Sequence, residues 1–178
     1  LQKKTKAIIM SSKLDFLFPK SYKANRPKAF QWLGKVIMKI MGWRIKGEIS
    51  DSYSNKKFVA IVAPHTSNWD AIVGLTAITA VDLKVYFIGK HTIFKGLLGK
   101  FIRYMGGIPV DRSKPGGLIK DLLSQIEDKK NGLIGLSPEG TRTKVDEWKT
   151  GFLRIARELN SGVVLVSLDF LKKEVVLA

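Results

Sequence analysis

Cysteine is absent from this 178-residue chain, which removes a disulfide framework, a zinc-thiolate site and a cysteine nucleophile from consideration. Acid is scarce, with 15 Asp and Glu against 31 Lys and Arg, a formal net charge of +16. Histidine is scarcer still, at two residues. No uninterrupted apolar run approaches the roughly 20 residues a spanning helix needs. The start also lacks the charged, apolar and small-residue succession of a signal peptide, so neither a membrane span nor export is expected. Met10, followed by Ser11-Ser12-Lys13, would also serve as a translation start, which would leave residues 1–9 an upstream or added extension. Repeats and low-complexity stretches are missing, and the length suits one domain with a continuous core.

The charge predicts attraction to a polyanion, either nucleic acid or an anionic membrane surface. Its distribution is uneven. Through Lys46 the basic residues are Lys3, Lys4, Lys6, Lys13, Lys20, Lys23, Arg26, Lys28, Lys35, Lys39, Arg44 and Lys46, against the single acid Asp15. Residues 1–43 therefore read as a basic N-terminal arm, ahead of a domain over 44–178.

Apolar runs of strand length alternate with segments of helical period. Phe58–Ala63, Val85–Ile88, Leu133–Leu136 and Val163–Leu168 are short, rich in β-branched or aromatic residues and bounded by turn residues, as buried strands are. Helices are expected over Asp70–Ala80, Ile93–Met105, Gly117–Asp128 and Thr150–Asn160. This βαβα order predicts an α/β layered fold with a mostly parallel central sheet flanked by helices.

Two segments are amphipathic. From Ala29 to Trp43, the residues Phe30, Leu33, Val36, Ile37, Ile40 and Met41 form one face, with Lys28, Gln31, Lys35 and Lys39 on the other. Such a helix lies in an anionic membrane interface or packs on its own domain, and composition leaves both readings open. Over Thr92–Gly106 a wider stripe of Ile93, Phe94, Leu97, Leu98, Phe101, Ile102 and Met105, with Lys95, Lys100 and Arg103 opposite, reads as core, with membrane contact as the alternative.

The strand Phe58–Ala63 should deliver Pro64-His65 to the crevice at its carboxyl end, where α/β folds gather their sites. Asp70 follows at an expected helix start. A carboxylate on one imidazole nitrogen fixes the tautomer and leaves the other nitrogen to accept a hydroxyl proton. The competing reading makes Asp70 a helix cap. His91 has no such partner nearby in the sequence and is assigned no role.

A second string, Ser137-Pro138-Glu139-Gly140-Thr141-Arg142, follows the strand Leu133–Leu136. Gly140 lets backbone approach a ligand, Thr141 donates a hydroxyl, and Arg142 offers a bidentate fork for phosphate. Glu139 is suited to orienting Arg142 or accepting from a substrate hydroxyl. An ordinary turn with a surface arginine is the bland alternative. Between the two strings, Gly106-Gly107-Ile108-Pro109-Val110-Asp111-Arg112 reads as a tight passage into a short extended segment. It ends on Arg112, either a further phosphate ligand or the partner of an acid.

His65-Thr66-Ser67-Asn68-Trp69-Asp70, Gly107 to Arg112 and Pro138-Glu139-Gly140-Thr141-Arg142, in this order, resemble the signature blocks of the 1-acyl-sn-glycerol-3-phosphate acyltransferases and the wider glycerophospholipid acyltransferases. The resemblance runs from about Trp43 to Phe170. It implies His65 as general base, Asp70 as its partner, and Arg112, Glu139, Gly140, Thr141 and Arg142 as the acceptor-binding set. The acyl donor would be acyl-CoA or acyl carrier protein, with no cofactor and no metal. The acceptor would be a lysophospholipid, foremost 1-acyl-glycerol-3-phosphate, giving phosphatidic acid. The setting would be the cytoplasmic face of a membrane, held peripherally by the basic helix. Pro64 stands where the family often has Asn, Ser137 where it often has Phe, and Val163–Ser167 lacks a proline, all marks of a divergent branch.

A serine hydrolase is disfavoured because Gly135-Leu136-Ser137-Pro138-Glu139 lacks the second glycine of a nucleophile elbow. Nucleic-acid binding is not expected either: the cations are not interleaved with an aromatic stacking platform, and no helix-turn-helix or zinc spacing is present. Acylation of a different lysolipid head group, or a non-catalytic anionic-lipid-binding domain, remain the alternatives.

Overall fold

A computed structural model describes residues 14–64, 67–111, 117–140 and 145–178. The chain runs β1 (Leu14–Leu17), α1 (Lys28–Met41), β2 (Arg44–Glu48), β3 (Lys57–Ala63), α2 (Asn68–Val81), β4 (Val85–Lys90), α3 (Gly96–Tyr104), β5 (Gly107–Val110), α4 (Gly117–Ile126), β6 (Gly132–Leu136), α5 (Gly151–Glu158), β7 (Gly162–Asp169) and β8 (Glu174–Leu177). Its strands form one eight-stranded sheet in the order β1-β2-β8-β7-β3-β6-β4-β5. Pairing is parallel throughout except between β7 and β8. The expected α/β layered fold with a mostly parallel sheet is what forms.

Crossovers between parallel strands are right-handed, so the direction of each step across the sheet decides which face its helix covers. From β3 through β4 to β5 the chain steps one way, which puts α2 and α3 on one face. From β5 through β6 to β7 it steps back, which puts α4 and α5 on the other. The side chains follow the period of two. Ala60, with Val85 and Leu133, packs under Val73, Ala77 and Ala80 of α2. Val59, with Ile134 and Ile108, packs under Leu122 and Ile126 of α4 and Ile155 of α5. A strand covered on both faces needs apolar residues at successive positions, which is why β3 and β6 read as unbroken runs.

The described part of the basic segment, residues 14–43, is joined to this body. β1 pairs with β2, and α1 packs on α2 through Gly34 and Met38, its two buried residues. A Cβ on Gly34 would stand 2.7 Å from the amide nitrogen of Ala80, so the helices approach backbone to backbone only because that position has no side chain. Gly34→Val should therefore cost about 1–3 kcal/mol through overpacking, read as a lower urea midpoint. An unchanged midpoint would contradict the close crossing.

Two details depart from the sequence expectations. The single helix over Ile93–Met105 is a 3-10 turn at His91–Phe94 followed by α3, interrupted where Lys95 is extended and Gly96 has φ +58°. Its stripe is divided too, with Phe94, Ile102 and Met105 buried but Ile93, Leu97, Leu98 and Phe101 exposed. One cation of the arm is internal. Arg26 is buried against Asp82, at 3.6 Å. Among the described residues, no helix is long and apolar enough to cross a membrane.

Candidate active site

β3 and β6 are hydrogen-bonded neighbours, in register from Lys57 opposite Gly132 to Ile61 opposite Leu136. After β3 the chain enters α2 on one face; after β6 it leads to α5 on the other. The two exits diverge and leave a crevice outside the strand ends, the place where open α/β sheets bind ligands. The two strings, far apart in sequence, thus start from adjacent strand ends.

On the β3 side a cis Ala63–Pro64 peptide leads out of the strand. His65 and Thr66 lie outside the described residues. Ser67 is the cap of α2, its Oγ accepting from the Trp69 amide at 3.1 Å. Asp70 answers from the third helical position. Its Oδ2 accepts from the Ser67 amide at 2.7 Å and its Oδ1 from the Ser67 hydroxyl at 3.3 Å, closing a capping box. Ser67, not Asp70, is therefore the cap. The positive end of α2 favours the Asp70 carboxylate, which is only 3% exposed. Two contacts with Ser67 do not exhaust a carboxylate, which offers about four acceptor positions.

On the β6 side, the Gly140 amide donates to Ser137 O at 3.2 Å, closing a turn with Pro138 at its second position. Gly140 takes φ +65°, a left-handed conformation that favours glycine. Glu139 is buried inside this turn, and the Ser137 hydroxyl is buried with no hydrogen-bond partner among the described residues. Thr141 and Arg142 lie outside the described residues.

One cation was not legible in the sequence. Lys149 donates its amide to Pro138 O at 2.9 Å, and its Nζ lies 3.1 Å from where a Cβ on Gly140 would stand. It sits over the Glu139-Gly140 turn. Its only sequence signal is a position a few residues past Arg142, in a stretch without periodicity.

The third block ends at the same edge of the sheet. β4 and β5 pair from Phe87–Gly107 to Lys90–Val110, and His91 Nδ1 lies 4.0 Å from Asp111 Oδ1 just beyond their ends. His91 thus has an acidic neighbour that sequence distance concealed. Arg112 lies outside the described residues.

Beneath α2 lies an apolar cavity of about 100 Å³ whose lining includes Val62, Gly74, Ala77, Ile78, Leu133 and Val166. No three His, Asp or Glu side chains converge to hold a metal among the described residues.

A family model described as Acyltransferase matches residues 44–169. The 1-acyl-sn-glycerol-3-phosphate acyltransferase of Bacillus subtilis (strain 168) is 28% identical over 100 residues, which cover 54% of this chain and 49% of that protein. The crystal structure of the 1-acyl-sn-glycerophosphate (LPA) acyltransferase PlsC from Thermotoga maritima aligns with a TM-score of 0.55 at 21% identity, over 84% of this chain and 65% of that one. The chain spans about half the length of the curated relative it matches.

Proposed function

Because the chain belongs to the Acyltransferase family, we propose that it moves a fatty acyl group from acyl-CoA or acyl carrier protein to the free hydroxyl of a lysophospholipid, foremost 1-acyl-glycerol-3-phosphate. The observation that carries this reading is the β3–β6 pairing, which starts the His65-to-Asp70 segment and the Ser137-to-Gly140 turn from neighbouring strand ends. A base and an anion-binding turn at one crevice suit an acceptor bearing a hydroxyl close to a phosphate. The name of the Bacillus subtilis relative, a 1-acyl-sn-glycerol-3-phosphate acyltransferase, supports the choice of acceptor.

In the proposed step His65 takes the proton from the acceptor hydroxyl, and Asp70 holds the imidazole and stabilises its charged form. The acceptor oxygen attacks the thioester carbonyl. A C–O bond forms, the C–S bond breaks through a tetrahedral oxyanion, and the leaving thiolate takes the proton from the imidazolium. No cofactor beyond the donor enters. Arg112, Gly140, Thr141 and Arg142 hold the phosphate, with Glu139 orienting the arginine. Lys149 adds a cation over the same turn. The basic arm with α1 keeps the protein on the cytoplasmic face of an anionic membrane.

The test is release of carrier thiol on mixing lysophosphatidate with acyl-CoA or acyl carrier protein. No release from the folded protein with any lysolipid would leave a lipid-binding domain without chemistry. Arg142→Ala should raise KM for the phosphorylated acceptor by roughly 10- to 100-fold, the worth of one or two charge-assisted hydrogen bonds, with a smaller change in kcat. An unchanged KM sinks the phosphate role.

A further inference from the structure

α3 sits directly on the turn that precedes it. A Cβ on Gly99 would stand 2.1 Å from the Phe94 carbonyl carbon, so only glycine lets the helix lie on that backbone. Arg103 fastens the contact, donating to Phe94 O at 2.9 Å with its guanidinium 5.0 Å from the Phe94 ring centre. With Gly99 and Ile102 turned inward, the helical period sends Leu97, Phe101 and Tyr104 to the opposite side. Leu97 is 84% exposed and Leu98 62%.

α1 continues this surface. Phe30 meets Phe101 and Tyr104 edge-on, at centroid distances of 6.3 and 6.0 Å, and α1 turns Trp32, Leu33 and Ile40 outward. α2 starts from the same edge of the sheet as α3 and exposes Trp69 and Ile72 in its first turns. The surrounding charge has one sign. Residues 28–41 and 83–110 contain Lys and Arg but no Asp or Glu, and Lys28, Lys35, Lys39, Lys90, Lys95 and Lys100 are exposed.

Apolar patches of this kind mark interaction sites, and the rim selects the occupant. A second copy would set cation against cation. An anionic lipid surface accepts both parts, the apolar side chains entering the acyl boundary and the ammonium groups meeting phosphates. We propose that α3, together with α1 and the first turn of α2, is a membrane-docking face, and that Leu97, Leu98 and Phe101 insert into the bilayer. The inference rests on the membrane association proposed above and adds the contacting element and its orientation. Docked on this face, the molecule brings the Ser67-to-Asp70 turn, beside exposed Trp69, to the lipid boundary.

The experiment is co-sedimentation of the full chain with phosphatidylcholine vesicles, with and without an equal part of phosphatidylglycerol. Leu97→Gln/Leu98→Gln should weaken binding to the anionic vesicles about tenfold or more. Leu171→Gln, which alters a 98% exposed leucine in the β7–β8 turn, should bind as wild type. Lys95→Gln/Lys100→Gln should lose roughly fivefold per charge on anionic vesicles only. Wild-type binding by Leu97→Gln/Leu98→Gln overturns the proposal. If Ile40→Gln loses binding while that variant keeps it, α1 docks alone, and the membrane reading survives without this inference. A wild type that ignores both vesicles removes the membrane reading itself. A wild-type dimer that Leu97→Gln/Leu98→Gln makes monomeric, with vesicle binding intact, makes the patch an interface between copies and overturns it too.

Discussion

His65→Ala is expected to lower turnover by about 10²- to 10⁴-fold, the usual worth of a positioned general base, while vesicle binding and melting temperature stay at wild-type values. The companion variants separate two tasks that Asp70 performs. Its contacts with Ser67 belong to the capping box, and an asparagine oxygen accepts from the Ser67 amide just as well. Asp70→Asn should therefore fold with little loss. An amide cannot stabilise an imidazolium, so the same variant should still lose roughly 10²-fold or more in kcat. Asp70→Ala should lose both, adding about 0.5–2 kcal/mol of instability from the broken cap. Undiminished turnover in His65→Ala sinks the mechanism. Undiminished turnover in Asp70→Asn alone leaves Asp70 the third-position member of the capping box and nothing more.

The strands β3, β4, β6 and β7 were legible as short apolar runs of β-branched or aromatic residues bounded by turns, the inner ones such as Phe58–Ala63 apolar at consecutive positions because both faces are covered; β5 was legible only as a short extended segment. The outer strands were not. In β2 only Ile45 is buried; the flanking Arg44 and Lys46 point charge at Glu174 of β8, at 4.0 and 2.7 Å. No local pattern announces a strand held by such partners. The division of the 93–105 stripe was hidden for a similar reason. Its width is compatible with burial, and what turns Leu97 outward is the close seat of Gly99 on Phe94, a contact that periodicity does not encode.

At the candidate site, spacing located the strands' exits but left Asp70 between two readings. The structure gives it a capping bond and a buried position, both compatible with an additional role toward His65. Lys149 and the His91–Asp111 neighbours escaped because each depends on chain segments meeting at the sheet edge. The three blocks are short and individually ordinary. Their shared edge follows from parallel pairing, which aligns the carboxyl ends of β3, β6, β4 and β5.

Arg26 provides the second large expected effect, on stability. Its guanidinium donates to Leu83 O at 3.1 Å and Met105 O at 3.4 Å, and Nη1 lies 3.6 Å from Asp82 Oδ1. Both side chains of the ion pair are 4% exposed. Burial pulls the guanidinium below its ordinary basicity, while Asp82 and then Tyr104 push it back up. These bonds tie the start of α1 to the ends of α2 and α3, at the edge of the layer away from the candidate site. Arg26→Met should cost about 3–5 kcal/mol, since it leaves a buried carboxylate without its counter-charge. Against a total of roughly 5–15 kcal/mol for a domain, that brings the protein near its unfolding threshold. Asp82 also accepts from the amides of Asn25 and Arg26 and takes φ +61°, a conformation asparagine tolerates. Arg26→Met/Asp82→Asn should therefore be more stable than Arg26→Met alone in urea unfolding. A double variant no more stable than the single one would place the cost in the lost carbonyl contacts rather than in the stranded charge.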